Sequence, residues 1–175
     1  TPVDSYGLRM CCLISMMRIL QHNQGHRPVA LDLLHPRLRS SFVDLVCLQE
    51  PCSGSRKIVG YQYHGLRKNE EACVSTKRGI PCHTVFASRD LVVVKGSSYG
   101  IASWYLHGTD MPRREVALSE LDQVLSTWPV SVPLYICVDA NAWHIAWGSE
   151  LTASNLHRQA WQRGESLVDW CLDKG

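Results

Sequence analysis

The sequence predicts an α/β protein, and three observations support this fold class. Its 175 residues include 45% hydrophobic and 19% charged side chains, with 12 Gly and 8 Pro, a composition typical of globular proteins and not of disordered, collagenous or coiled-coil ones. Short apolar runs of strand length alternate with segments of helical periodicity. Several of these runs end in polar side chains, as in α/β enzymes, where such residues gather in one crevice. A chain of this length forms one domain or two small ones.

Seven short runs rich in apolar residues predict strands, each followed by polar or turn residues. In chain order they cover residues 16–23, 42–48, 72–74, 83–87, 91–94, 101–106 and 134–138. Residues 52–100 are otherwise irregular and interrupted by glycines. Residues 1–17 form an N-terminal extension or the start of the first strand.

Three segments with apolar residues three and four positions apart predict helices. They cover residues 28–41, 112–128 and 156–173. Pro36 predicts a kink or a break in the first helix, Pro112 opens the second, and Gly175 stands where a cap of the third would be. The predicted inward faces of the last two helices are Val116, Ala117, Leu121, Val124, Leu125 and Trp128, and Trp161, Val168, Cys171 and Leu172.

The cysteines and the charge exclude several classes of protein. The eight cysteines contain no C-x-x-C spacing, and Cys47 and Cys137 lie in apolar runs. We therefore expect free thiols in the cytoplasm or nucleus, and neither disulfides nor zinc. The apolar stretch at residues 10–17 is too short to cross a bilayer and lacks a signal-peptide cleavage pattern, so no membrane partner is expected. A net charge of +2 permits a nucleic-acid partner without indicating one.

Polar side chains at four predicted strand ends can form one site. They are Gln21 with Asn23, Glu50, Tyr105, and Asp139 with Asn141 and His144. Because Mg²⁺ takes oxygen ligands and keeps several waters, Glu50 and Asp139 with amide oxygens would be enough to bind it. A period of two places Asp139 and Asn141 on one face of an extended segment, where one can orient a water and the other can hold a phosphate oxygen. The pattern indicates metal-assisted phosphoester chemistry.

Each of these residues also has a purely structural interpretation. Gln21 and Asn23 can satisfy loop backbone groups, and Glu50 before proline can be a surface turn residue. Tyr105 can be an ordinary half-buried strand residue, and His144 and Trp147 can be core or surface residues of the loop after the last strand. The motifs of phosphate-binding loops, dinucleotide-binding folds, serine hydrolases and zinc proteases do not occur in the sequence.

Four motifs occur in a fixed order along the chain. They are Leu20-Gln21-His22-Asn23, Val46-Cys47-Leu48-Gln49-Glu50-Pro51, Ala102-Ser103-Trp104-Tyr105, and Asp139-Ala140-Asn141-Ala142-Trp143-His144-Ile145-Ala146-Trp147-Gly148-Ser149. This order resembles the endonuclease domain of non-LTR retrotransposons, within the exonuclease III-like endonuclease/exonuclease/phosphatase superfamily. The last motif is the most specific, because other branches share its Asp-x-Asn but not the following Ala-x-His-x-x-Trp-Gly. Gln21 resembles the pattern of site-specific elements.

The resemblance implies a fold, an activity and partners. The fold is a four-layer α/β sandwich of two facing mixed sheets flanked by helices, over residues 18–175. The activity is a Mg²⁺-dependent endonuclease, with Mn²⁺ as an alternative ion, that nicks one strand of double-stranded target DNA. The new 3′ hydroxyl would prime the reverse transcriptase domain of the same polyprotein. The protein would be made in the cytoplasm and act in the nucleus.

The resemblance also implies which residues manage the metal and the attacking water. Glu50 is the principal metal ligand, and Asn23 is the second. Asp139 positions or deprotonates the water. Gln21 occupies a catalytic position in the first motif, and its role is left open.

Four further residues are implied on the substrate side. Asn141 would hold the scissile phosphate, and Tyr105 would contact it, with Tyr99 as the reserve candidate. His144 and Trp147 would contact the DNA.

One departure from the family keeps two alternatives open. The family ends in further strands and a Ser-Asp-His motif, which has no counterpart after Asn141, since His157 is followed by Arg158 on a predicted helix. An isolated chain that lacks this motif is expected to be a weak nuclease. The alternatives are an exonuclease III-like repair nuclease or phosphatase, and a catalytically silent DNA-binding module.

Overall fold

A computed structural model describes residues 17–40, 42–52, 58–65, 69–147 and 158–174. Within these ranges the chain forms eight strands and three α-helices. The strands are β1 (Ile19–Asn23), β2 (Leu45–Gln49), β3 (Tyr61–His64), β4 (Ala72–Lys77), β5 (His83–Ala87), β6 (Leu91–Lys95), β7 (Gly100–Tyr105) and β8 (Leu134–Asp139). The helices are α1 (Pro28–Ser40), α2 (Met111–Thr127) and α3 (Arg158–Asp173), and a short 3-10 helix covers Ile145–Trp147.

The strands form two mixed sheets of four strands each. The first sheet has the order β1-β2-β4-β3, and the second has the order β5-β6-β7-β8. In each sheet one pair is parallel, β1 with β2 and β7 with β8, and the other pairs are antiparallel. The crossovers between the parallel strands contain α1 in the first sheet and α2 in the second, as parallel pairing requires.

Three apolar clusters hold the layers together. The cluster between the two sheets is centred on Leu45, Cys47, Val74, Val92, Val94, Tyr99 and Ile101. On the outer face of the first sheet, α1 packs Leu31 and Leu34. On the outer face of the second sheet, α2 and α3 pack residues that include Leu121 and Leu167. The order helix, sheet, sheet, helix confirms the predicted four-layer sandwich.

Several predicted strand and helix ends are wrong by a few residues. β2 begins at Leu45 and not at residue 42, because Phe42 lies in the preceding loop with 74% of its surface exposed. α1 runs through Pro36 without ending there. β3 was not predicted, since its four residues include two polar ones and no β-branched side chain. It pairs with β4 as an edge strand, and Tyr61 donates a hydrogen bond to the Val43 carbonyl at 2.7 Å.

The predicted inward faces of α2 and α3 are partly wrong. α2 buries Ala117, Leu121 and Val124 as expected, but it exposes Val116 and buries Arg114 instead. α3 leaves Cys171 exposed, and 73% of Leu172 is exposed. It buries Gly164 and Leu167, a contact that hydropathy misses because glycine has no side chain.

The described residues agree with the expectation of free thiols. Their six cysteines form no disulfide, while Cys11 and Cys12 lie outside the described residues. Among the described helices, none is both long and apolar enough to cross a membrane.

Candidate active site

The carboxyl ends of the two parallel strand pairs meet across the gap between the sheets. Asn23 ends β1, and its side-chain amide donates a hydrogen bond to Asp139 at the end of β8. Glu50 follows β2, and its Oε1 accepts a hydrogen bond of 3.0 Å from the hydroxyl of Tyr105 at the end of β7. Each of these bonds joins one sheet to the other. The structure therefore brings four of the predicted catalytic residues together in two cross-sheet pairs.

Two glutamine side chains lie beneath these pairs and join the same strands. Gln49 is fully buried, and its Nε2 donates to Ser103 Oγ at 3.0 Å and to the Cys137 carbonyl at 3.2 Å. Gln21 Nε2 donates to the Val138 carbonyl at 2.8 Å. The predicted residue Gln21 thus lies in the site, where it contacts backbone. Gln49 was not predicted as a site residue, although an amide inside the apolar run of β2 was a signal for it.

The backbone at Glu50 has a conformation that aims the carboxylate out of the sheet. Its φ is +47°, in the left-handed region that non-glycine residues seldom adopt. Such a residue is strained by about 1 kcal/mol or more and persists only where its surroundings hold it. Here the Glu50 amide donates to the Glu71 carbonyl at 2.8 Å, and its own carbonyl accepts from the His26 amide at 2.9 Å.

Tyr105 is a neutral hydrogen-bond donor in the site. Burial, and then the hydrogen bond to Glu50, raise the pKa of Tyr105 to about 12, with a smaller opposing contribution from Asn141. The phenol therefore stays protonated at neutral pH. The His107 ring packs edge-on against the Tyr105 ring, with centroids 4.7 Å apart. Tyr99, the reserve candidate, lies instead in the core between the sheets, just before the opposite end of β7.

The turn that follows β8 differs from the predicted extended segment. Asn141 has a φ of +45°, so the chain turns there and the period-two argument does not hold. The side chains still converge, because the Asn141 amide donates to Asp139 Oδ1 at 3.3 Å and its Nδ2 donates to the Leu106 carbonyl at 3.0 Å. Asn141 thus reaches the site by a left-handed turn held by hydrogen bonds.

Two arginines from the outer helices hold the carbonyl groups of this turn. Arg114 Nη1 of α2 donates to the Ala140 carbonyl at 2.8 Å, and Arg163 Nε of α3 donates to the Asn141 carbonyl at 2.9 Å. Sequence reasoning missed both as site residues. A signal for Arg114 was its position on the same face of α2 as Ala117 and Leu121, an arginine on an otherwise apolar helix face.

A network of ion pairs connects the two sheets beside the site and was also not predicted. Arg113 of α2 binds Asp90, which precedes β6, through two hydrogen bonds. It also lies 3.7 Å from Glu71, which precedes β4, and Arg89 donates to the same carboxylate at 3.0 Å. Because both carboxylates are largely buried, loss of one partner would leave an uncompensated charge.

The predicted substrate-binding residues lie beyond the turn. A cavity of about 480 Å³ is lined by residues that include Asp139, Asn141, Trp143 and Trp147. His144 packs its ring against Trp147, with centroids 5.3 Å apart. The two rings are tilted by 48° to each other, and Trp147 is 43% exposed, so its ring is open to stacking with a nucleotide base. Gly148 and Ser149, the end of the fourth motif, lie outside the described residues.

The carboxylate and amide oxygens of the site are the kind of ligand that a hard divalent cation takes. Within the described residues no group of three or more His, Cys, Asp or Glu side chains could hold a metal. Mg²⁺ needs fewer, since one or two carboxylates and several waters satisfy it. Among the described residues Glu50 Oε2 has no hydrogen-bond partner, and Asn23 Oδ1 accepts only the Gly25 amide, at 2.7 Å. Both oxygens therefore retain free lone pairs.

The described fold and site define an α/β sandwich with a carboxylate and amide centre between its two sheets. The fold is similar to that of the endonuclease domain of TRAS1, a telomere-specific non-LTR retrotransposon, with a TM-score of 0.72 and 19% identity over 91% of this chain and 71% of that one. It is also similar to humanized TDP2 of D. rerio, with a TM-score of 0.50 and 17% identity over 78% and 68%. These likenesses confirm the predicted fold and the structural resemblance to a retrotransposon endonuclease domain.

One further structural match and two sequence comparisons add nothing to the argument about function. An AP endonuclease from Leishmania major aligns with a TM-score of 0.48 and 11% identity, over 72% of this chain and 55% of that one. The sequence matches no protein-family model, and it matches no curated protein.

Proposed function

We propose that the chain is a metal-dependent endonuclease that nicks one strand of double-stranded DNA. The observation that carries this proposal is the cross-sheet pairing of Asn23 with Asp139 and of Glu50 with Tyr105. It brings together two carboxylates, one amide and a neutral phenol at strand ends of the two sheets, a set of groups suited to hydrolysis of a phosphodiester. One solved structure with a similar fold is the endonuclease domain of a non-LTR retrotransposon.

In this proposal Glu50 is the principal ligand of Mg²⁺ or Mn²⁺, and Asn23 contributes its side-chain oxygen. A bound divalent cation supplies positive charge that offsets the charge developing on the phosphoryl oxygens. The hydrogen bond from Tyr105 fixes the Glu50 carboxylate through Oε1 and leaves Oε2 free.

Asp139 is the residue that takes the proton of the attacking water. Its two oxygens already accept hydrogen bonds from Asn23 and from the Asn141 amide, which fix the plane of the carboxylate. As the water oxygen bonds to phosphorus, the bond from phosphorus to the 3′ oxygen breaks. The water proton passes to Asp139, and the leaving oxygen takes a proton from solvent.

Asn141 and Tyr105 would contact the phosphate oxygens. Tyr105 has a single hydroxyl hydrogen, which it donates to Glu50 in this structure, so it would turn that hydrogen from Glu50 to the phosphate when DNA binds. Tyr105 keeps its proton at neutral pH because its pKa is raised to about 12. The left-handed turn at Asn141 holds its backbone amide against Asp139 and its side-chain amide against the Leu106 carbonyl before substrate binds. Little reorganisation is therefore needed in the transition state. Trp147 and His144 would contact the bases beyond.

The cellular role follows from the same proposal. The nick would be made in the nucleus, at a specific target site, after synthesis of the protein in the cytoplasm. Its 3′ hydroxyl would prime DNA synthesis by a reverse transcriptase domain of the same polyprotein.

A supercoiled-plasmid assay with Mg²⁺, Mn²⁺ or EDTA tests the activity, with the longest natural form of the protein that contains these residues. We expect metal-dependent nicking that Glu50→Ala abolishes. Asp139→Ala should lower the rate by orders of magnitude and change DNA affinity little, since it affects the transition state more than the ground state. Asp169→Ala, which removes an exposed carboxylate of α3, is the matched control and should nick normally.

Three results would contradict the proposal. Nicking that persists in EDTA would exclude the metal. DNA binding by a folded protein without nicking would favour a silent binding module. Much faster cleavage of plasmid that contains apurinic sites would favour a repair nuclease.

A further inference from the structure

Two guanidinium groups lie side by side where α2 and α3 meet the turn after β8. Arg114 is only 2% exposed and donates to the carbonyls of Ala140 at 2.8 Å and His107 at 3.3 Å. It also donates to the carbonyl of Arg163 at 3.4 Å. Burial, and then the neighbouring charge of Arg163, lower the pKa of Arg114 to about 10. Both groups remain charged at neutral pH.

No carboxylate neutralises this pair within the described part of the chain. Ion pairs there join other arginines, lysine and histidines to acids, and neither Arg114 nor Arg163 takes part in one. Buried charges in proteins are normally paired, because carbonyl groups solvate a cation without cancelling its charge. The pair therefore creates a positive potential that favours an anion.

The guanidinium groups line a cavity of about 500 Å³ between the two helices. The lining also contains neutral donors, namely the hydroxyls of Thr109 and Ser166 and the amides of Gln159 and Gln162, and the apolar side chains of Met111 and Leu118. The lining includes one carboxylate, Glu115, on the exposed side of α2. Guanidinium, hydroxyl and amide groups are the side chains that proteins use against phosphate oxygens.

The cavity adjoins the candidate centre at Gly108. A Cβ atom on Gly108 would lie 3.4 Å from Asn141 Cβ and 3.9 Å from an Nη atom of Arg163. The space beside this glycine is therefore bounded by Asn141 on one side and by Arg163 on the other. Among the described residues the Nη groups of Arg163 have no acceptor, since its assigned hydrogen bond uses Nε.

We propose that this cavity is a second phosphate site, which takes a backbone phosphodiester of the DNA strand next to the phosphate held by Asn141. The inference rests on the proposed nuclease function and adds a contact to it. The site would anchor the strand by charge, without reading the base sequence. A strand held at both places would keep the scissile phosphate in register with Asp139.

A charge-changing pair at Gln162 tests the site without altering the hydrogen bonds that hold the turn. Affinity for a labelled DNA duplex is measured by fluorescence anisotropy in EDTA over a range of salt concentrations. We expect Gln162→Glu to weaken binding roughly tenfold at low salt and Gln162→Lys to strengthen it. The slope of log affinity against log salt should fall in magnitude by about 1 for the first and rise by about 1 for the second.

Gln123→Glu is the matched control, because it makes the same charge change at an exposed position near the C-terminal end of α2, whereas the cavity lies near the N-terminal end of that helix. It should bind as the wild-type chain does. Equal slopes in all of these proteins would overturn the second site, and so would equal weakening by Gln123→Glu and Gln162→Glu. In both cases normal plasmid nicking would leave the nuclease proposal standing.

Two further outcomes are distinguishable from these. A wild-type chain that binds no DNA overturns the second site together with the nuclease. Stabilisation against heat by inorganic phosphate that Gln162→Glu removes, with unchanged salt slopes for DNA, would identify a site for free phosphate and overturn the strand contact.

Discussion

Replacing Gly164 with alanine tests how closely α3 packs against the segment that follows the active-site turn. A Cβ atom at this position would lie 2.1 Å from the Trp143 carbonyl oxygen and 3.1 Å from His144 Cβ. Helix propensity alone predicts that alanine stabilises α3 by about 1 kcal/mol. The contact with the backbone oxygen should reverse that sign.

The magnitude follows from the geometry. Carbon and oxygen atoms that are not bonded need at least 3.0 Å, so α3 must move away from Trp143 by about 1 Å. Overpacking of this kind costs about 1–3 kcal/mol. The movement also stretches the hydrogen bond from the Trp143 amide to the Ala160 carbonyl, now 3.0 Å, which is another contribution of about 1 kcal/mol. We expect a net loss of about 2 kcal/mol.

Activity should fall more than stability suggests. Arg163 precedes Gly164 and holds the Asn141 carbonyl, so a shift of α3 displaces the turn that carries Asn141. A misplacement of about 1 Å lowers rates by about 100-fold. Urea unfolding and plasmid nicking measure the two effects, with Asp169→Ala on the exposed face of α3 as the control for helix propensity. A Gly164→Ala chain as stable as the wild type would refute the reasoning.

Three other predictions test the support of the site. Arg163→Lys keeps the charge but loses the Nε donor to Asn141, so nicking should slow about tenfold while DNA affinity, to which the retained charge still contributes, falls much less, and equal losses in rate and affinity would argue against a positioning role. Gln49→Leu removes the hydrogen bonds from Nε2 to the buried Ser103 Oγ and to the Cys137 carbonyl and should destabilise the chain by about 1–3 kcal/mol in urea unfolding. Burial lowers the pKa of His64, so its neutral form favours the fold. Stability should therefore fall from pH 7 toward pH 5, by at most about 1.4 kcal/mol per pH unit from this residue, and His64→Gln should flatten that slope.

Sequence could predict those parts of the site in which a residue's place in a local hydrophobic pattern also determines where it lies in the fold. An apolar run that ends in Glu50 or Asp139 marks a strand and its carboxyl end at the same time. Because parallel strands present their carboxyl ends at one edge, the convergence of these residues followed from the order of elements. The choice of Tyr105 over Tyr99 did not follow from the order of elements. Tyr105 ends β7 and Tyr99 directly precedes it, so the choice depends on which end of β7 reaches the site.

The remaining parts depend on contacts between distant segments. Helical periodicity places Arg114 on the inward face of α2, three residues before Ala117 and seven before Leu121, where a charged side chain is not expected. It is buried there because the carbonyls of the β8 turn accept its hydrogen bonds. The inward face of α3 is set by Gly164, whose contribution is the absence of a side chain. Asparagine tolerates the left-handed region better than most residues, but the hydrogen bonds of Asn141 to Asp139 and to the Leu106 carbonyl are what hold it there.

The geometry of the centre is a property of the packing between the sheets and not of any single motif. Asn23 and Glu50 belong to the first sheet, whereas Asp139 and Tyr105 belong to the second, and each cross-sheet hydrogen bond joins one residue of each set. Gln49 spans the same gap from below. A change that separates the sheets slightly therefore breaks the donor and acceptor pairs while each sheet keeps its own ladder. Substitutions in the apolar core between the sheets should therefore change activity, although these core residues do not touch the substrate.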